Sequence, residues 1–421
     1  MKKTLLLSVV ASTMIMAGGD IAPVEPMVIP APVEVSAWNF SGNAVAYYQT
    51  NEVSTAVAGK NTLGSSETSW NDFAVQLRAT NSDIFWGIGA GVELTGHTSL
   101  ADVSIRGVQN GASGASSDAG FTQAYLTYGI DAIDTSIKVG RQTLPKSLSP
   151  FAFTEGWQPI KNTFDAALVV NSSIPDTTLV YAAVTNSNSS VGSFNQFGNI
   201  NGNGDVVHMV TAQNKSISGL TLTGTFYNAP KFDNTNALNV MWADAKFNMG
   251  GYGIAVQGGQ VLGSKLTGAT KDTTAYGAKI SGNWGMFDVM AAYSSVDDGT
   301  VSIHNLGTGV KTPLYTQSIL DQNSIKRDAN AYKVAMGMKA LGGKFGVAYI
   351  GSSMGTTALA STFIGGAGKG NYAELDVTYK SKITENTTLF AAYVYQNDDR
   401  LVSPSADTNN FVRVWARYNF N

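Results

Sequence analysis

The sequence predicts an all-β fold: a transmembrane antiparallel β-barrel of about eighteen strands, with sixteen as the alternative. Three observations predict it. Apolar and polar residues alternate with a period of two, connections alternate between long and very short, and a secretory leader opens the chain.

The leader comes first. Met1, Lys2 and Lys3 make a basic start, Leu5 to Met16 an apolar run, and Ala17 with Gly18 a small-residue cleavage point. The run falls short of the ~18 apolar residues a spanning helix needs, so 1–17 reads as a signal peptide rather than an anchor. Ile15 is larger than the usual residue before a cut, which leaves the cleavage position open. Residues 18–35 carry prolines that preclude strand pairing and read as an extended periplasmic linker. Residues 36–421 are the barrel domain.

Composition agrees with a wall between lipid and water. The 421 residues include 45 glycines, 10% aromatics and only 14% charged side chains, with mean hydropathy near zero. There is no cysteine, so stability must come from the fold alone. Loss of Lys2 and Lys3 with the leader takes the formal charge from −3 to −5, which excludes a nucleic-acid-binding balance.

From Ser36 onward the period is two. Phe287, Val289, Ala291 and Tyr293 share one face, and Asp288, Met290 and Ala292 the other. Tyr332, Val334, Met336 and Met338 alternate with Lys333, Ala335, Gly337 and Lys339, and the same holds for 412–420. A helix would repeat at i, i+3 and i+4 instead. Strands are expected near 38–50, 69–80, 84–96, 120–129, 133–142, 164–171, 177–185, 205–213 and 219–228. They continue near 237–247, 251–262, 272–282, 284–296, 329–340, 343–352, 371–381, 386–397 and 409–420.

A soluble sandwich would alternate too, so the connections decide. Links after even-numbered strands are short: Asn81-Ser82-Asp83, Ile130-Asp131-Ala132, Ser172 to Asp176, Asn248-Met249-Gly250 and Leu341-Gly342-Gly343. Those after odd-numbered strands are mostly long, as at 97–119, 186–204, 297–328 and 353–370. Short periplasmic turns, long extracellular loops and both termini in the periplasm are the expected arrangement. Trp38, Phe40, Trp70, Phe85, Trp86, Tyr128, Tyr252, Trp284, Tyr349, Tyr379, Tyr418 and Phe420 fall near strand ends, where interfacial girdles belong.

The last strand, 411–420, carries Trp415, Tyr418 and Phe420 and resembles the terminal signal that hands outer-membrane proteins to the barrel-assembly machinery; here Asn421 follows the final aromatic. The stretch from Val139 to Pro145 contains Gly-Arg-Gln and leads into a segment rich in Pro, Phe and Trp. It resembles the passage before the constriction loop of campylobacter-type major outer membrane porins. More distantly it is similar to the eighteen-stranded substrate-selective porins of pseudomonads. The resemblance implies a homotrimer and an inward-folded third loop that narrows a pore for passive diffusion of ions and small hydrophilic solutes.

Selectivity in such a pore would come from charged residues around a wet constriction. The third long connection, 143–162, is the candidate lid: Pro145, Pro150 and Pro159 stiffen it, Phe151, Phe153 and Trp157 can pack it on the wall, and Glu155 and Lys161 bring charge. Strand parity aims Arg78, Lys138, Asp244, Lys279, Asp288, Lys333, Glu374, Asp376 and Arg413 at the lumen. Arg141 stands at the mouth of the third loop, where Gly140 would permit a bulge that redirects it. The expected device is a transverse field between Arg78, Lys138 and Arg141 on the wall and Glu155 on the loop.

Competing readings find less support. Enzyme chemistry needs a nucleophile with a base, yet His97 and His304 fall in long loops, His208 on a strand, and none sits in a nucleophile elbow. Asp297-Asp298 and Asp398-Asp399 are carboxylate pairs that could attract calcium, but without EF-hand spacing they read as turns. No metal and no cofactor is expected. The expected partners are outer-membrane lipid and lipopolysaccharide, the assembly machinery, further copies of the chain, and small solutes and ions. A structural or adhesive surface protein with an incidental pore is the alternative function.

Overall fold

A computed structural model describes residues 38–53, 62–65, 68–99, 117–188, 194, 196–355, 369–400 and 408–421. The leader at 1–17 and the linker at 18–35 lie outside the described residues, as do most of the connections at 97–119 and 353–370 and a few residues of 186–204.

Strands follow one another almost without interruption. In order they are β1 (Asn39–Val53), β2 (Ser69–Phe85), β3 (Ile88–Ser99), β4 (Ser117–Ile130), β5 (Thr135–Gln142), β6 (Phe164–Asn171) and β7 (Thr177–Asn188). After a three-residue strand, β8 (Phe197–Asn199), come β9 (Val207–Asn214), β10 (Leu220–Ala229), β11 (Leu238–Met249), β12 (Tyr252–Leu262) and β13 (Thr273–Trp284). The last six are β14 (Phe287–Val296), β15 (Ala329–Ala340), β16 (Gly343–Met354), β17 (Gly370–Lys382), β18 (Thr387–Asp398) and β19 (Thr408–Phe420).

Each wall strand pairs antiparallel with its sequence neighbours, β7 pairs directly with β9, and β1 pairs with both β2 and β19. The wall is therefore a closed eighteen-stranded barrel, and β8 hangs on the end of β7. Closure has a physical cause. In hydrocarbon, each unpaired backbone group on an open edge would cost several kcal/mol.

The period of two sorts side chains between faces. On β15, Tyr332, Val334 and Met336 are exposed on the outside, whereas Lys333 and Ala335 are buried inside. The same parity exposes Phe226 and Met241 outward and buries Tyr227 and Trp242 inward. Exposed aromatics collect at both rims. Trp38, Phe40, Phe85, Trp86, Tyr128, Tyr252, Trp284 and Tyr418 stand near the short turns, and Tyr181, Tyr276, Tyr293, Tyr332, Tyr349 and Tyr393 nearer the long connections.

Short reversals occupy one end. Trp86-Gly87, Gly250-Gly251 and Leu341-Gly342 each place both central residues at positive φ, the geometry whose twist matches that of the flanking strands. The first of these corrects an expectation. Asn81-Ser82-Asp83 is not the turn but lies within β2, at a register shift between Asn81 and Phe85. The Asn81 side chain accepts the Asp83 amide at 2.9 Å, so a turn-like tripeptide becomes a bulge and the hairpin reverses further on.

The largest apolar cluster sits inside the wall rather than outside it. Leu144, Phe151 and Ala152 of the β5–β6 connection meet Ile303, Leu314 and Ile325 of the β14–β15 connection, and all pack on inward wall residues such as Tyr227, Val240 and Trp242.

Candidate pore constriction

The β5–β6 connection, 143–163, begins where β5 is pinned. Gln142 is fully buried and its amide donates to the Ala166 carbonyl at 3.0 Å. Leu144 and Thr154 then close the base of the loop, the Thr154 amide donating to the Leu144 carbonyl at 2.8 Å. Pro145 starts a tight turn that carries the chain to Phe151. The Phe151 ring stands edge-on to Trp242 of β11 at 5.4 Å and to Tyr227 of β10 at 5.9 Å.

Further along, Trp157 packs edge-on to Phe390 of β18 at 5.9 Å and lies beneath the Arg413 guanidinium at 4.1 Å. Arg413 also donates to the Trp157 carbonyl at 3.0 Å and to Gln49 at 2.7 Å, while Arg417 donates to the Pro159 carbonyl at 2.5 Å. In strand order β10 and β11 stand nearly half the ring away from β18 and β19. One loop thus touches almost opposite sides of the wall.

The β14–β15 connection, 297–328, is bound to it. Asn305 donates from its amide to the Phe153 carbonyl at 2.7 Å and to Glu155 at 3.0 Å, and the Leu306 amide donates to the Phe151 carbonyl at 2.7 Å. The Thr308 hydroxyl and the Lys311 amide also donate to Glu155. This second loop is held by charged wall residues. Glu374 accepts from the Ile319 and Leu320 amides, Lys333 donates to the Gln317 carbonyl at 2.7 Å, and Tyr315 donates to Asp244 at 2.5 Å. Burial, with Asp244 beside it, pushes the Tyr315 phenol well above its ordinary value and keeps it a donor.

The expected site residues divide among several environments. Arg78 pairs with Glu93 at 2.5 Å, and both line a cavity of about 280 Å³ with Lys161 and Arg417. Asp244 binds Lys246 at 2.8 Å beside a second cavity of about 250 Å³, and Lys279 lies 4.9 Å from the Tyr315 ring. Asp288 pairs with Lys344 at 2.6 Å, and Lys138 sits over the Tyr125 ring at 3.6 Å. Lys333, Glu374, Asp376 and Arg413 are all buried on the inner face.

Two of these placements differ from expectation. Glu155 is 3% exposed and engaged by the neighbouring loop, so its charge is spent on joining the two loops. Arg141 is not redirected. The pairing of β5 with β4 and β6 passes Gly140 without a register shift, although that residue has φ +124. Parity therefore leaves Arg141 on the outer face, bound to Asp165 at 2.9 Å with its guanidinium over Phe197. Of the terminal aromatics, Tyr418 and Phe420 share the outward face, whereas Trp415 turns inward and stacks on Phe390 at 5.3 Å.

His97 is likewise not in a loop. It lies on β3, buried, with its ring edge-on to Phe194 at 5.7 Å. His208 accepts or donates with Tyr181 at 2.9 Å, and His304 with Ser302 at 2.8 Å. Asp298 pairs with Lys271, and Asp398 with Arg400. Among the described residues no three metal-ligating side chains gather. Sequence reasoning passed over Glu93, Arg417, Tyr315 and Asn305. Parity with Arg78 across the hairpin could have found Glu93, and parity with Arg413 could have found Arg417; nothing local marks Asn305.

Solved structures bear on this geometry. Acinetobacter baumannii OccAB3 superposes with a TM-score of 0.71 at 13% identity, over 91% of this chain and 99% of that one. The fold is that of the outer-membrane porins. Pseudomonas aeruginosa OccD3 (OpdP) gives 0.68 at 12% identity over 91% of each chain. OpdK from the same organism, solved with vanillate, gives 0.69 at 10% identity over 91% of this chain and 98% of that one. No protein-family profile and no curated protein sequence matches the chain.

Proposed function

We propose that the protein is a passive outer-membrane pore for ions and small hydrophilic solutes, narrowed by the connection 143–163 folded inward with 297–328 seated against it. One observation carries the reading: Phe151 and Trp157 of a single loop pack on nearly opposite inner walls of a closed barrel. A wet constriction selects by width and by the charges around it, without a chemical step. In this reading Arg78, Lys161, Asp244 and Lys138 face the solute path, Asp288 lies near its turn-end rim, and Glu155, Lys333 and Arg413 hold the loops in place.

The two-residue turns and both termini then belong to the periplasm and the long connections to the outside. Residues 1–17 serve export and 18–35 tether the barrel. Tyr418 and Phe420 present the assembly signal, with Trp415 contributing from the other face of the same strand. Three copies assemble among outer-membrane lipid and lipopolysaccharide. The likeness of 139–145 to the passage before the constriction loop of campylobacter-type porins supports this reading of the loop that follows.

Liposome swelling tests the function. Vesicles containing the folded barrel should admit small sugars at a rate that falls steeply with solute size. Absence of flux from a correctly folded barrel would favour the adhesive alternative, in which the long connections meet the surroundings and the pore is incidental.

A further inference from the structure

A receptor for one carboxylate is built into the wall beside the cavity of about 280 Å³. Glu93 of β3 stands directly opposite Arg78 of β2, yet only 4% of it is exposed. One carboxylate oxygen accepts both from Nε of Arg78 at 3.2 Å and from its Nη2 at 2.5 Å. The other accepts from the Thr122 hydroxyl at 2.6 Å and the Gln76 amide at 3.2 Å. Thr122 reaches Glu93 because β4 bulges there. Glu93 pairs with Gln123 and Leu94 with Phe121, so Thr122 is the extra residue between them. The Thr163 hydroxyl, at the end of the 143–163 loop, donates to the Thr122 carbonyl at 2.8 Å and ties the bulge to the loop.

We propose, building on the pore reading above, that Glu93 is a specificity-determining residue of this cavity, holding Arg78 in place and cancelling its charge. Glu93 does not touch the solute, since its oxygens are filled by wall donors. It acts through Arg78, which lines the cavity with its side chain 32% exposed. A guanidinium and a carboxylate in contact act on a passing ion as a dipole, whose field falls off faster than that of a single charge. Arg78 therefore serves the cavity as a fixed donor more than as a cation. Arg417 lines the same cavity and donates to the Pro159 carbonyl, a bond that leaves its charge uncancelled. Burial alone does not silence a carboxylate. Glu93 matters because its partner faces the cavity, whereas Glu155 binds Asn305 and Thr308 of the second loop.

Reversal potentials in a salt gradient read this balance. Arg78→Gln, Glu93→Gln, Glu93→Asp and the double variant Arg78→Gln/Glu93→Gln are reconstituted in planar bilayers after a check of heat-modifiable gel mobility. Arg78→Gln should raise the cation-to-anion permeability ratio and Glu93→Gln should lower it, each by about threefold. The double variant should return the ratio toward that of the parent, and Glu93→Asp, which keeps the charge, should stay near it. A double variant with the ratio of Arg78→Gln alone would overturn the proposal, because removing Glu93 then changes nothing at the cavity. That comparison holds even where Glu93→Gln by itself does not fold. A shift with Glu93→Asp as large as with Glu93→Gln would also overturn it, by tracing the effect to fit rather than charge. Absence of current from the folded parent barrel would instead overturn the pore reading on which the proposal rests.

Discussion

At the scale of single residues, the informative charges are those withdrawn from solution. Arg413 is 2% exposed and serves a carbonyl of the loop, a glutamine of the wall and the face of Trp157 at once. Arg413→Ala should cost about 2–4 kcal/mol, because a charged multiple donor is lost and its acceptors stay buried. Thermal unfolding in detergent measures the loss, and bilayer recordings should show larger, noisier channels as Trp157 is released. Arg413→Lys should rescue little, since one ammonium cannot reproduce the fork and the stacking together. Glu155 and Arg78 make a contrasting pair. Glu155→Gln should loosen the loop junction by about 1–2 kcal/mol yet leave the reversal potential in a salt gradient where it was, because that carboxylate is buried among Asn305, Thr308 and Lys311. Arg78→Ala should move the reversal potential toward cations, since it strips a cation from a cavity wall and leaves Glu93 behind. A shift with Glu155→Gln as large as that with Arg78→Ala would contradict this assignment.

At the scale of elements, the two long loops are hydrogen-bonded to one another, and His304 should make that junction sensitive to pH. His304 of the β14–β15 connection bonds Ser302, and burial, aided by nearby Lys326, lowers its pKa from the ordinary 6.5 to about 4. The sign follows from proton counting. Between those values the unfolded imidazole binds a proton that the seated one refuses, so stability rises with pH across the window and is lost as pH falls through it. The whole effect is about 2 kcal/mol after allowance for the partial solvent access of the ring. Protection of 297–328, taken after correction for the pH dependence of intrinsic amide exchange, should fall between pH 6.5 and 4, and His304→Gln should flatten that response. The hairpin reversals form a second class of element. Trp86 adopts positive φ, which a bulky residue does only under constraint, and Gly87 after it completes the turn that Asn81-Ser82-Asp83 does not make.

At the scale of the whole molecule, the decisive feature is the seam between β1 and β19, which pairs Gly42 with Phe420 and continues to Val53 with Asn409. Without it both edge strands would face lipid with open backbone groups. Unheated protein should migrate faster on a denaturing gel than heated protein, as a closed barrel resists detergent. Deletion of 408–421 should abolish that difference together with β19, even though the other wall strands keep their sequence. Retention of the fast band by the truncated chain would mean that closure does not depend on this seam.

The strand period and the rhythm of connection lengths were legible in the residues themselves. A side chain on a strand has only two directions, and the chain must reverse within a few residues wherever a hairpin turns. That simple geometry gave about eighteen strands and their antiparallel order, and it aimed Lys333, Glu374, Asp376 and Arg413 inward; pairing of β1 with β19 then fixed the count at eighteen. A loop obeys no such period. Whether Glu155 meets solution or Asn305, whether Arg141 is redirected at Gly140, and whether 297–328 joins 143–163 were decided by residues distant in the chain and close across the barrel. Contacts between 153 and 305 leave no trace in either local sequence, because each loop finds its conformation only when the closed wall brings the other to it. The wall is written along the chain; the seating of one loop on the other exists only once the wall has closed.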